Sequence, residues 1–143
     1  MYKIDKDSNR IAPLAEKSFS DLGLTERHHL QEWLAHTPDA LGEELLIIQK
    51  EFDGFDDTRE RLDLLALDKD GNLVIIENKL DDSGRDVVWQ ALKYAGYCSN
   101  LSKGQIAEIY QEFLNKAAGQ ATELPTDAKE AIVDFLEAAD FDE

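Results

Sequence analysis

The stretch Arg61–Lys79, RLDLLALDKDGNLVIIENK, constrains the fold of this chain more than any other. Two runs rich in Leu, Ile and Val enclose DKDG, a cluster of turn formers, and so read as two antiparallel strands of a hairpin. Asp68-Lys69-Asp70-Gly71 suits a type I turn followed by a glycine in the left-handed conformation, which closes a hairpin with a bulge. Such a loop pairs Asp68 with Asn72. Stepping back along both strands, 67 faces 73, 65 faces 75 and 63 faces 77. Asp63 is therefore expected directly across from Glu77, with Arg61 across from Lys79 on the same face.

Opposed side chains on neighbouring strands have Cβ atoms ~4.5–5.5 Å apart, where like charges destabilise. Asp63 lies within RLDLLAL and Glu77 follows LVII, so both carboxylates are carried by strands apolar on both faces, where an unpaired charge is costly. Two arrangements relieve the repulsion. In one, Asp63 with Lys79 and Glu77 with Arg61 form diagonal ion pairs that stabilise the sheet. In the other, the carboxylates share a divalent cation; their hard oxygens suit Mg²⁺ or Mn²⁺, and Lys79 would face an attacking water or a phosphate oxygen. The opposition of two acids on central strands, beside two cations, favours the metal.

The rest of the chain frames this hairpin. Met1–Ile4 reads as a short edge strand, and Pro13 interrupts the segment after it. From Thr25, a candidate N-cap, Leu30, Trp33 and Leu34 recur at helical spacing until Thr37-Pro38 ends the run. Glu44–Phe52 reads as a strand, so with the hairpin it makes a three-stranded antiparallel meander. Val87, Val88, Ala91, Leu92 and Ala95 form the stripe of a helix over Gly84–Asn100 starting near Ser83. Ser102 caps a second helix to Ala117, and Thr126 caps a last one containing Ile132, Val133, Phe135 and Leu136. The order is helix, three strands, then helices.

Composition narrows the function classes. At 143 residues the chain is expected to be one domain, with a core over about 25–100 and C-terminal helices over 101–143. Acids number 31 against 15 Lys and Arg, a net charge of −16 that opposes a general electrostatic grip on nucleic acid or an anionic membrane. Most of that charge lies elsewhere: residues 57–97 carry six cations and nine anions, and two of those anions are Asp63 and Glu77. The lone Cys98 rules out an internal disulfide and a zinc–thiolate cluster and fits a reduced, cytoplasmic protein. The N-terminus lacks an apolar signal, and no stretch approaches the ~20 apolar residues of a membrane span. His28, His29 and His36 lack chelating spacing and read as solvated or capping residues. Asp68 and Asp70 begin like a calcium loop, but no Glu follows at the twelfth position. Nucleotide-binding glycine fingerprints are absent from the sequence.

An Asp on one strand and Glu-x-Lys on the next resembles the core motif of the PD-(D/E)xK, or restriction-endonuclease-like, phosphodiesterase superfamily. The resemblance spans about Pro38–Asn100. Leu41-Gly42-Glu43-Glu44 falls where many members carry a further acid, with Glu43 the first choice and Glu44 the alternative. Gln90-Ala91-Leu92-Lys93-Tyr94 resembles the Gln-x-x-x-Tyr signature of several nuclease branches. Leu62 stands where the motif has Pro, and no strand is evident after Asn100, where the family core usually adds one. The resemblance implies an α/β (α+β) fold whose sheet is completed by a missing segment of a longer protein or by a second chain, as in a homodimer.

It further implies a metal-dependent DNA endonuclease or exonuclease. Asp63, Glu77, the Asn78 carbonyl and Glu43 would hold Mg²⁺ or Mn²⁺; Lys79 would position or deprotonate water, and Gln90 would orient the site. Arg59, Arg61, Arg85, Lys93 and Tyr94 would be the phosphate-facing rim, although half-buried packing also accounts for Tyr94. The competing readings are a noncatalytic binding or oligomerisation module on the same fold, and an acidic protein-interaction domain.

Overall fold

The computed structural model describes residues 1–54, 61–80, 86–121 and 126–141. It is a mixed α+β chain with two small antiparallel sheets. Strands β1 (Tyr2–Asp5) and β2 (Arg10–Pro13) form an exposed N-terminal hairpin, so the expected edge strand pairs with its own return rather than with the main sheet. Asp5 closes its turn by accepting bonds from Asp7 N, Ser8 N and Ser8 Oγ.

The main sheet has the order β3 (Leu46–Phe52), β4 (Leu62–Leu67), β5 (Leu73–Ile76). This is the expected meander, with β3 starting two residues later than the apolar run suggested. The register is also as expected: Leu67 pairs with Leu73, Leu65 with Ile75 and Leu64 with Ile76. Asp68 enforces it. The Asp68 N–H bonds to Asn72 O, its carboxylate accepts from Asp70 N, Asn72 N and Asn72 Nδ2, and Gly71 sits at φ +78. A β-bulge between Ile47 and Gln49 shifts the β3–β4 ladder, after which Lys50 faces Leu64 and Phe52 faces Leu62.

Strand β4 is the centre of the core: Leu62, Leu64, Leu65 and Ala66 are fully buried. Leu64 and Ala66 pack with Leu45, Ile47, Leu34 and Ala35, whereas Leu62, Leu65 and Leu67 pack with Tyr94, Cys98, Ala107, Tyr110 and Ile132. Apolar residues on successive positions of β4 thus serve two clusters, one reaching α1 (Gln31–His36) and one reaching the later helices.

Thr25 caps the first helical segment as expected, accepting from His28 N. The segment opens with a π-helical turn at Glu26–Leu30 before α1, and it seats His29 Nδ1 3.0 Å from Thr25 N. Helix α2 covers Val87–Cys98 and ends before the expected Asn100; the expected start at Gly84, near Ser83, falls outside the described residues. Helix α3 (Lys103–Ala121) begins after a capping box in which Ser102 N donates to Gln105 Oε1 and Gln105 N donates to Ser102 Oγ. The last helix, α4 (Ala128–Leu136), is capped by Asp127 and not by Thr126. The Asp127 carboxylate accepts from Lys129 N and Glu130 N, and its charge suits the positive helix N-terminus better than a hydroxyl.

Lys69, at the tip of the β4–β5 hairpin, donates to the Phe135 carbonyl at 2.6 Å and lies over the Phe135 ring. That contact latches the hairpin to the end of α4. No helix among the described residues is long and apolar enough to cross a membrane. Asp127→Ala, which removes the α4 cap, is expected to cost about 1 kcal/mol in denaturant unfolding, whereas Thr126→Ala should cost little.

Candidate active site

The β4–β5 ladder ends at Leu64 and Ile76, one residue short of the two acids. Beyond it the strands stay close: Asn78 N donates to Asp63 Oδ2 at 2.8 Å, and Lys79 Nζ donates to Glu77 Oε1 at 3.0 Å. Neither diagonal ion pair forms. Lys79 instead bonds the acid two residues back in the segment just past β5, and Arg61 turns toward Glu51 and Asp53, at 3.9 and 3.7 Å.

The Glu77 side chain is only 6% exposed, and its Oε2 is buried without a hydrogen-bond partner, as is Asn78 Nδ2 beside it in the chain. Leaving such a group unsatisfied costs about 1–3 kcal/mol. Burial raises the pKa of Asp63, an effect opposed by the Asn78 N–H and the Lys79 charge and reinforced by Glu51 and Glu26. Glu77 is raised as well, by burial first and then by Asp63 and Glu26, against the bond from Lys79. For Lys79 burial acts downward, yet the bond to Glu77 and the charges of Glu77, Glu26 and Asp63 outweigh it and raise the pKa. Four carboxylates thus make up this cluster, Asp63, Glu77, Glu26 and Glu51, and the first three act on its one ammonium.

Two of those four were not read from the sequence as site residues. Glu26 projects from the π-helical turn, and its Oε1 accepts from Leu80 N at 2.9 Å. Glu51 lies across from Asp63 in the β3–β4 register, between the pairs Lys50–Leu64 and Phe52–Leu62. Its backbone is left-handed at φ +57, a strained conformation for glutamate. Extending the register count from β5 through β4 to β3 is the signal that points to Glu51. Glu43, expected as the further acid, is exposed ahead of β3, as is Glu44; Glu26 acts on both Asp63 and Glu77, and Glu51 acts on Asp63.

Tyr94 is 1% exposed, and its hydroxyl donates to the Arg61 carbonyl at 3.1 Å. It is a core residue that ties α2 to the start of β4, which corrects its place on the phosphate rim. Gln90, one turn earlier on the same side of α2, is half-buried. Lys93 and Arg61 are exposed, while Arg59 and Arg85 lie outside the described residues.

Among the described residues, no group of three or more His, Cys, Asp or Glu side chains is close enough to hold a metal ion by itself. The pair Asp63 and Glu77 nevertheless fits a hard cation that keeps most of its waters. Both acids are hard oxygen donors, they repel each other, and a buried Glu77 oxygen has no partner. Searches against protein-family models, curated proteins and solved structures find no match for this chain.

The raised carboxylate pKa values carry a sign for stability. A carboxyl whose pKa is higher folded than unfolded binds its proton more tightly in the native state. Its contribution to stability is therefore present at acid pH and is lost as pH rises through the folded value. Asp63→Asn keeps an acceptor for Asn78 N–H and removes the charge, so it should raise Tm at neutral pH. The gain should shrink when the melt is repeated below the ordinary aspartate range.

Proposed function

We propose that this chain is a metal-dependent DNA phosphodiesterase built on a PD-(D/E)xK, restriction-endonuclease-like core. The observation that carries the reading is the buried, unpartnered Glu77 oxygen in an acid pair that the hairpin register holds together beside Lys79. A purely structural sheet end gains nothing from that arrangement, since two apolar residues there would leave no group unsatisfied.

Asp63 and Glu77, with the carbonyl of Asn78, are the groups that would hold Mg²⁺ or Mn²⁺; Glu26 replaces Glu43 as the nearby upstream acid. The cation, when bound, would offset charge growing on the phosphorus-centred transition state. Lys79 Nζ holds or deprotonates the attacking water. Its tie to Glu77 and the charge of Glu26 keep it in place and strengthen its hold on a proton, so it would act first as an ammonium donor to that water; a cation drawing on the same acids would oppose the rise. Gln90 orients a substrate phosphate from α2. The three-stranded sheet leaves room for completion by further chain or by a second copy, which would also supply most DNA affinity to so acidic a domain.

A second reading, a noncatalytic module on the same core, is favoured by one feature: Lys79 already neutralises part of Glu77, and Asn78 N already serves Asp63. The two separate in a metal titration followed by cleavage of plasmid and single-stranded DNA. The enzyme binds Mg²⁺ or Mn²⁺ weakly and cuts only with metal, and Asp63→Ala, Glu77→Ala and Lys79→Ala each lower the rate by at least about two orders of magnitude. Cleavage that survives in Asp63→Ala rules the enzyme out; metal binding that is absent from the wild type, or present but unaltered by Asp63→Ala, supports the module.

A further inference from the structure

Beside the acid pair lies a second arrangement of charge with no part in holding a metal. Arg27 reaches Glu51 with two bonds, Nε to Oε1 at 3.0 Å and Nη2 to Oε2 at 2.6 Å. Gln31 Nε2, on a residue that is itself buried, donates to the same Oε1 at 2.8 Å, and Arg61 Nη1 stands 3.9 Å from Oε2. Arg61 also approaches the exposed Asp53 at 3.7 Å. One carboxylate thus collects donors from the first helical segment and from the start of β4.

The two arginines remain open to solvent, their side chains 60% and 51% exposed, whereas Glu51 is 20% exposed. Both are chain neighbours of the acid centre: Arg27 follows Glu26, and Arg61, just ahead of β4, precedes Asp63 by two residues. Holding Glu51 here is unfavourable on two counts, since its backbone is left-handed and its charge adds to the repulsion on Asp63. A fork of guanidinium donors closed on two carboxylate oxygens has the geometry with which arginine grips two oxygens of a phosphate.

We propose that Arg27 and Arg61 form a binding site for a backbone phosphate of DNA, and that Glu51 occupies the pair in the empty protein as an internal stand-in for that phosphate. This rests on the phosphodiesterase reading for its ligand but on separate residues for its geometry. An incoming phosphodiester displaces the Glu51 carboxylate from Arg27. The exchange trades one anion for another on the same donors, and Gln31 stays behind as the partner of the released carboxylate. The pair lends a −16 chain a local phosphate contact while Glu51 offsets part of its charge in the empty protein.

The test is binding of a short fluorescent DNA duplex, by anisotropy, with EDTA present so that the metal centre does not contribute. Glu51→Gln should tighten binding about threefold to fivefold, the scale set by the worth of a partly exposed ion pair. Glu32→Gln removes the same charge from the Lys50 pair elsewhere and should leave affinity nearly unchanged. Arg27→Ala, at an exposed side chain, should weaken binding, lower the salt slope by about one and cancel the gain in the Arg27→Ala/Glu51→Gln double variant. Equal tightening by Glu51→Gln and Glu32→Gln overturns the proposal, as does a gain that persists in the double variant. If Glu51→Gln does not fold, an unchanged salt slope in Arg27→Ala overturns it alone. Failure of the metal reading shows separately, as loss of metal binding and cleavage with this phosphate contact intact.

Discussion

The turn at Asp68 decides the geometry of everything near it. Its carboxylate fixes three donors of the loop, Gly71 takes the left-handed step, and the register of β4 against β5 is then set without a choice. A slip by one residue would turn the fully buried Leu64, Leu65 and Ala66 to the wrong neighbours, so the core defends the same register from the other side. Two acids that repel each other are brought together because local turn chemistry and global packing agree. The electrostatic cost at the sheet end is carried by apolar burial one residue further in.

The centre is best understood as a crowded negative field with few counter-charges inside it. Glu26 acts on both Asp63 and Glu77, Glu51 acts on Asp63, and Lys79 is the cation held among Glu77, Glu26 and Asp63. Arg27 and Arg61 stand at the edge, bound to the outermost acid. On the phosphodiesterase reading proposed above, such a field would attract a small hard cation and, once neutralised by it, would cease to repel a phosphodiester. Net charge over the whole chain says little about this, because it does not show that these charges are gathered at one end of the sheet.

How far the sequence foretold the structure depended on the range of the interaction involved. The β4–β5 register was legible because a short loop of defined chemistry sets it. The β3–β4 register was less so: the bulge at Ile47–Gln49 shifts the ladder, and Glu51 is reached only by carrying the count across from Asp63. Glu26 was invisible for a different reason, since only packing brings a helix start to Leu80 N. The spacing of Gln90 and Tyr94 correctly put both on one side of a helix, but periodicity does not say which of the two enters the core. Tyr94 does, and its hydroxyl finds a backbone partner there. The cap of α4 moved by one residue because a carboxylate outcompetes a neighbouring hydroxyl for the helix N-terminus.

The latch between Lys69 and Phe135 joins positions 66 residues apart, and it holds the turn from which the acid centre takes its register. Local order in the hairpin can arise early, yet its tip is secured only after the last helix has docked. During synthesis the chain therefore carries its repelling acids through most of its length before the clamp that steadies them exists. In temporal terms, the middle of the sequence is finished by its end.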